Sequence, residues 1–228
     1  MPINELSSIS LLSLKVSLCA LLSILAPGIS IGWWLSHKKG PLVSIGEAIL
    51  LLPMVLPPSS CGLLLLTILS PEGILGGLLF KYFGINLLLN WKAAVVAAAF
   101  VSFPLLMRAC QQSFAQIPDS LEELAKSFGL TKRQTFTQVT IPLALPGITN
   151  GCVLAVARSL GEFGSTIMVA GLIPGQTETL SLAIYARTIN GRDTEAWTLA
   201  LVSLVLSFVL LLTNRLYQKR SQNGLNAL

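Results

Sequence analysis

The chain has 228 residues, of which 53% are apolar and only 11% charged, and its net charge is +5. Soluble domains carry roughly a quarter charged residues, and the mean hydropathy here is +0.75, so a water-soluble globular domain is excluded. The basic residues lie between and after apolar runs, where they orient spans in a bilayer and give no reason to invoke nucleic acid.

Apolar runs of roughly 20 residues, the length that crosses a hydrocarbon core, recur along the chain. Backbone in lipid must satisfy its own hydrogen bonds, so the sequence predicts an all-α integral membrane protein with about five spans. The first covers residues 9–35 with Pro27 inside it. It has no basic region, short apolar core and cleavage site before it, so it reads as a retained span. The second covers 43–69 and holds Pro53, Pro57 and Pro58, which kink it. Residues 70–90 hold an apolar piece too short and glycine-rich for a sixth span, read as an outer amphipathic helix or a re-entrant piece. The third span covers 91–110, the fourth 142–172 and the fifth 197–216. Between the last two, "TLSLAIYART" predicts a short external helix, and Pro174-Gly175 predicts a turn.

The connections alternate in charge. Lys38 and Lys39 follow the first span, Arg108, Lys126, Lys132 and Arg133 the third, and Arg215, Lys219 and Arg220 the fifth. The opposite side holds only Lys15, Lys81, Lys92, Arg187 and Arg192. The positive-inside bias makes the first group cytoplasmic. The N-terminus is then outside and the C-terminus inside.

This orientation puts a polar module, residues 118–142, in the cytoplasm. Asp119 with Glu122 three residues on has the pattern of a capping box, predicting a helix over Ser120–Phe128. Gly129 can take the left-handed conformation that ends it. Thr131 with Gln134 predicts a second short helix over Lys132–Thr140, before Pro142. Two readings stay open, an amphipathic loop on the membrane surface and a docking element for a partner groove.

The fourth span carries "ARSLGEFGSTIMVAG". Arg158 and Glu162, four residues apart, share one face of a continuous helix. Ionisable residues within a membrane turn toward the bundle interior or a water-filled cavity. The pair is either a structural ion pair or part of a path for an anion, with Ser159, Ser165 and Thr166 adding hydroxyls or holding helices together.

The module resembles the "EAA" signature of permease subunits of bacterial ATP-binding cassette importers: Glu-Ala-Ala, three residues, Gly, nine residues, Ile-x-Leu-Pro. Glu123, Leu124 and Ala125 fill the first part, Gly129 follows, and Val139, Thr140, Ile141 and Pro142 close it. Leu124 replaces an alanine, while Val139 and Ile141 are aliphatic exchanges. The resemblance implies a type I importer permease, residues 9–216 forming one transport domain. Residues 118–142 would be its coupling loop, with Glu122, Glu123, Ala125, Gly129, Val139, Ile141 and Pro142 engaging the ATPase. "GEFGSTIMVAG", "IPGQTETLSLAIY" and "LLLPMVLPPSSCGLLLL" look like molybdate permeases in particular. Sulfate/thiosulfate permeases are similar but usually have tyrosine where Phe163 stands; tungstate is a further candidate cargo. The family implies an inner-membrane assembly of two permease copies, two ATPase subunits and an external oxyanion-binding protein. On the path reading, Arg158, Ser159, Glu162, Ser165 and Thr166 line the translocation route. Pro57-Pro58 either starts a half-helix there or shapes a gate.

No G-x-x-x-x-G-K-[ST] phosphate loop occurs, so ATP and magnesium would be used by a separate subunit and this chain itself would bind no cofactor. The four cysteines, Cys19, Cys61, Cys110 and Cys152, lack CxxC spacing, and the single His37 sits beside lysines. They read as free thiols with no metal site, and no set of catalytic groups predicts an enzyme.

Overall fold

The computed structural model describes residues 2–225, with side chains described to residue 219; the side chain of Arg220 lies outside the described residues. Helices dominate it, and no strand occurs among the described residues. In chain order they are α1 (Ile3–His37), α2 (Pro41–Val55), α3 (Pro58–Leu69), α4 (Ile74–Phe83), α5 (Trp91–Ala115) and α6 (Asp119–Ser127). Then follow α7 (Lys132–Thr135), a π-helical turn (Phe136–Thr140), α8 (Ile141–Leu160), α9 (Gly164–Ala170), α10 (Leu180–Ile189) and α11 (Asp193–Leu225). Among the described residues, five stretches are long and apolar enough to cross a membrane: Ile3–His37, Pro58–Phe83, Trp91–Ala115, Lys132–Leu160 and Asp193–Lys219.

The second expected span is where sequence and structure differ most. Residues 43–69 are not one kinked helix. The chain leaves the helix after Val55 and restarts at Pro58. Neither Pro57 nor Pro58 has an N–H to donate, so tandem prolines stop one helix and suit the first position of the next. The apolar stretch of sufficient length runs instead through α3 and α4. A bend at Ser70–Gly73 separates these two, and it is so tight that a Cβ on Gly76 would lie 2.1 Å from the Leu69 carbonyl oxygen. Alone, α4 has 10 residues, about 15 Å of helix, too short to cross. Pro27, by contrast, leaves α1 unbroken over 35 residues.

The centre of the bundle is α5, held between α1 and α8. Two glycine pairs at four-residue spacing bring the backbones together. On α1, a Cβ at Gly32 would come 2.9 Å from the Met107 carbonyl oxygen, and one at Gly28 would come 2.8 Å from Leu106 Cδ2. On α8, Cβ atoms at Gly147 and Gly151 would come 2.4 Å from Ser113 Cβ and 2.7 Å from Ala109 Cβ. Close packing through small residues replaces the hydrophobic effect inside a bilayer. The N-terminal half of α5 continues the theme with buried Ala93, Ala94, Ala97 and Ala98, packed with Val16, Leu65 and Val169. The expected helix in residues 173–195 is α10. It is packed into the bundle: Leu180, Leu182 and Ala183 are fully buried, and its first N–H donates to Ser13 Oγ on α1 at 2.7 Å.

Candidate functional site

The polar module folds as a lever on the end of α8. Its first helix, α6, starts at Asp119, with Pro118 at the N-cap and no side-chain cap. The capping box expected of Asp119 and Glu122 is therefore absent. Glu122 turns the other way, and its Oε1 accepts the Thr140 hydroxyl at 2.9 Å. That competing partner is buried, which favours it over an exposed cap. Around the same carboxylate stand Lys126 Nζ at 4.0 Å and His37 Nε2 at 3.9 Å.

Gly129 ends α6 at φ +87°. Leu130 N donates to the Ala125 carbonyl at 3.2 Å and Gly129 N to that of Lys126 at 3.0 Å, the pairing that closes a Schellman cap. The second box forms as expected, with Thr131 and Gln134 capping each other. Its helix does not stop before Pro142, however. Through the π turn it runs on into α8, because Pro142 falls in the first turn of α8, where a missing N–H costs little. So the module is one short helix and one rigid extension of the fourth span, not two independent short helices.

The expected coupling residues divide by position. Ala125 is buried, and Ile141 and Phe136 pack on the α1–α5–α8 core. Val139 is half-buried, whereas Glu123 and Pro142 are exposed. Beside Glu123, Leu124 and Phe128 are 53% and 77% exposed, an apolar pair at four-residue spacing with nothing covering it.

Deeper in the bundle, the fourth span breaks. α8 ends at Leu160, and Glu162 lies in the non-helical link before α9. Arg158 and Glu162 therefore do not share one continuous helix face. They still pair, with Arg158 Nη1 2.7 Å from Glu162 Oε2. Glu162 Oε1 accepts the Ser165 backbone N–H at 2.9 Å and also the Ser165 hydroxyl. Its side chain is 2% exposed while that of Arg158 is 33% exposed. The carboxylate is thus saturated, and the guanidinium keeps an accessible edge.

The two helix breaks face one another. A Cβ on Gly164 would lie 2.5 Å from Pro58 Cβ, and one on Gly62 would lie 3.0 Å from Ser165 Cα. This brings Pro58 to the Arg158–Glu162–Ser165 cluster, with Pro57, Ser59 and Ser60 exposed next to it. Thr166 is buried one residue beyond, and Ser159 Oγ is buried with no hydrogen-bond partner. The end of α8 is closed by α10, whose Ser181 hydroxyl donates to the Leu160 carbonyl at 3.0 Å.

An ionic knot at the other end of the bundle has no counterpart in the sequence reading. Arg187 on α10 donates to Glu178 at 2.8 Å, to Glu195 on α11 at 3.1 Å and to Glu5 on α1. Burial pulls the guanidinium down, and the Glu178 and Glu5 carboxylates more than offset it and hold it above its ordinary value. Glu178 and Glu195 lie nine and eight residues from Arg187 and Glu5 lies 182 away, none of them at the three- or four-residue spacing that marks a helical pair. The glycine pairs on α1 and α8 did carry a signal, the G-x-x-x-G spacing of "GISIG" and "GITNG", which the sequence reading passed over.

The helical bundle has known counterparts. Residues 28–223 match the family described as the binding-protein-dependent transport system inner membrane component. The chain belongs to this family. The permease is 41% identical over 203 residues to the molybdenum transport system permease protein ModB of Escherichia coli (strain K12), covering 89% of each. It is 38% identical over 222 residues to ModB of Haemophilus influenzae, covering 97% of this chain and 96% of that one. The sulfate transport system permease protein CysT of Escherichia coli (strain K12) is 34% identical over 193 residues, covering 85% and 69%. A bacterial ABC transporter involved in the import of the acidic polysaccharide alginate superposes with a TM-score of 0.73 at 18% identity, covering 95% of this chain and 79% of that one. The fold is thus that of a type I importer permease, and the permease is a multi-pass inner-membrane transport component, not an enzyme.

Proposed function

We propose that this permease is the conduit of an ATP-driven importer for molybdate. It acts as two copies with two ATPase subunits and a molybdate-binding protein outside, residues 9–216 serving as one transport domain. The observation that carries the cargo is near-full-length identity of 41% to a molybdenum transport permease. For the energy source it is the tied lever at residues 118–142, whose exposed Glu123, Leu124 and Phe128 offer a partner one acidic and two apolar contacts. The C-terminus and this lever are cytoplasmic and the N-terminus outside, a reading supported by the distribution of basic residues.

The mechanism is a population shift. ATP-driven closure of the partner subunits moves the lever; α7, the π turn and α8 carry that motion to the break at Gly161–Phe163. The breaks of α3 and α8 are the bistable element, opening outward toward a loaded binding protein and resetting inward after hydrolysis. Arg158 supplies positive potential to a passing oxyanion, Glu162 being already neutralised by its own partners. Pro57, Pro58, Ser159, Ser165 and Thr166 line or support the same constriction. The chain itself binds no cofactor; ATP and magnesium belong to the ATPase.

Sulfate is the second reading, on the 34% identity to a sulfate permease. Reconstituted permease, ATPase and binding protein should take up molybdate only with ATP, and excess sulfate should not compete. Equal competition by sulfate would overturn the cargo, and full-speed uptake without the ATPase would overturn the mechanism.

A further inference from the structure

Between the end of α1 and the lever lies a groove of about 620 Å³ to which the transport mechanism assigns no ligand. One wall is aromatic: Trp33, Trp34 and Phe136, with the Trp33 and Phe136 rings 5.2 Å apart. The other wall is basic: Lys126, Lys132 and Arg133. Only Glu122 opposes these cations, and it is already engaged by Thr140. Lys132 and Arg133 make no ion pair among the described residues. At the edge of the groove Thr135, 2% exposed, has a buried hydroxyl without a hydrogen-bond partner.

Each wall asks for a different part of one ligand. An anion satisfies the uncompensated charge and the orphaned hydroxyl, but a free anion leaves the tryptophan wall uncovered. The groove sits at the C-terminal end of the apolar α1 span, within the last two turns before His37 and the adjoining Lys38 and Lys39. Tryptophan concentrates at this depth, at headgroup level, and basic pockets beside spans hold anionic headgroups.

We propose that this groove binds one anionic phospholipid. Its phosphate lies against Lys132 and Arg133 and accepts the Thr135 hydroxyl, and its acyl stem covers Trp33 and Trp34. The lipid fastens the lever to the membrane surface beside α1. The assignment rests on the proposed orientation only for which leaflet supplies the lipid.

The test is native mass spectrometry of the full-length permease from membranes containing phosphatidylglycerol and phosphatidylethanolamine. Phosphatidylglycerol should be retained selectively. Lys132→Gln with Arg133→Gln should lower its retention on the order of tenfold, whereas Lys38→Gln with Lys39→Gln should leave it near the parent level. Thr135→Val, a change of one buried atom, should also lower retention while the protein elutes as a single species. Equal loss in the Lys38/Lys39 variant would mean diffuse surface charge and overturn the site. Displacement of the lipid by excess inorganic phosphate or molybdate would make it a free-oxyanion site and overturn the lipid assignment. Retention unchanged in both the Lys132/Arg133 and Thr135 variants would do the same. ATPase co-purification, measured in parallel, reports separately on the transport reading.

Discussion

Glu122 and Thr140, eighteen positions apart, are joined by a hydrogen bond of 2.9 Å that fixes α6 to the root of α8. Without it α6 would be held by its two chain links and the packing of Ala125, and more of a push on α6 would be absorbed in the Gly129–Thr131 link. A hydrogen bond to a charged group contributes about 1.5–3 kcal/mol, and this one is partly buried. Thr140→Val should therefore leave the ATPase bound and hydrolysing but lower molybdate transported per ATP several-fold. Uptake-to-hydrolysis ratios in proteoliposomes measure this, and an unchanged ratio would show that the bond carries no motion.

Glu123 points away from that bond and should act on assembly itself. Glu123→Lys reverses the one exposed acidic contact next to Leu124 and Phe128, and should abolish ATPase co-purification while the spans stay folded. Gly129→Pro should do the same by another route. Its φ of +87° is inaccessible to proline, whose ring fixes φ near −65°, and its N–H closes the cap of α6. Normal co-purification of both variants would remove the basis for docking at this loop.

The parts of this fold that could be read from sequence were those set by local chemistry. The first, third, fourth and fifth spans follow from apolar runs, the second capping box from Thr131 and Gln134, and the helix stop from Gly129. What escaped were choices decided by distant partners. Glu122 had a local cap open to it and took Thr140 instead. Arg158 and Glu162 had helical spacing, yet the helix ends between them where Gly164 and Pro58 press the two breaks together. The Arg187 knot draws on Glu5, Glu178 and Glu195 from three separate segments, an arrangement that exists only once the bundle is packed.

The grip of α1 and α8 on α5 should be intolerant of side chains. Gly32→Leu places carbon against the Met107 carbonyl, and Gly151→Leu places it against Ala109. Overpacking of this kind costs about 1–3 kcal/mol where neighbours can shift, and here one neighbour is backbone. Both variants should lower the unfolding temperature in detergent by several degrees. Gly46→Leu on α2, where nothing lies within 4 Å, should not. Equal stability of Gly32→Leu would mean that the two helices are not in close contact.

The Arg158–Glu162 pair separates a structural role from one on the path. Arg158→Leu leaves a carboxylate that is 2% exposed without its cation, and breaking a buried pair from one side costs about 3–5 kcal/mol. Expression and thermal stability should fall sharply. Adding Glu162→Gln removes the stranded charge and keeps an oxygen to accept the Ser165 N–H, so stability should return. Uptake then decides the role. If the exposed edge of Arg158 serves the oxyanion, the stable double variant should still transport at a small fraction of the parent rate, and Arg158→Lys should recover part of it. If uptake returns together with stability, the guanidinium is there to hold α8 to α9, and the charge that guides the cargo must come from elsewhere along the breaks.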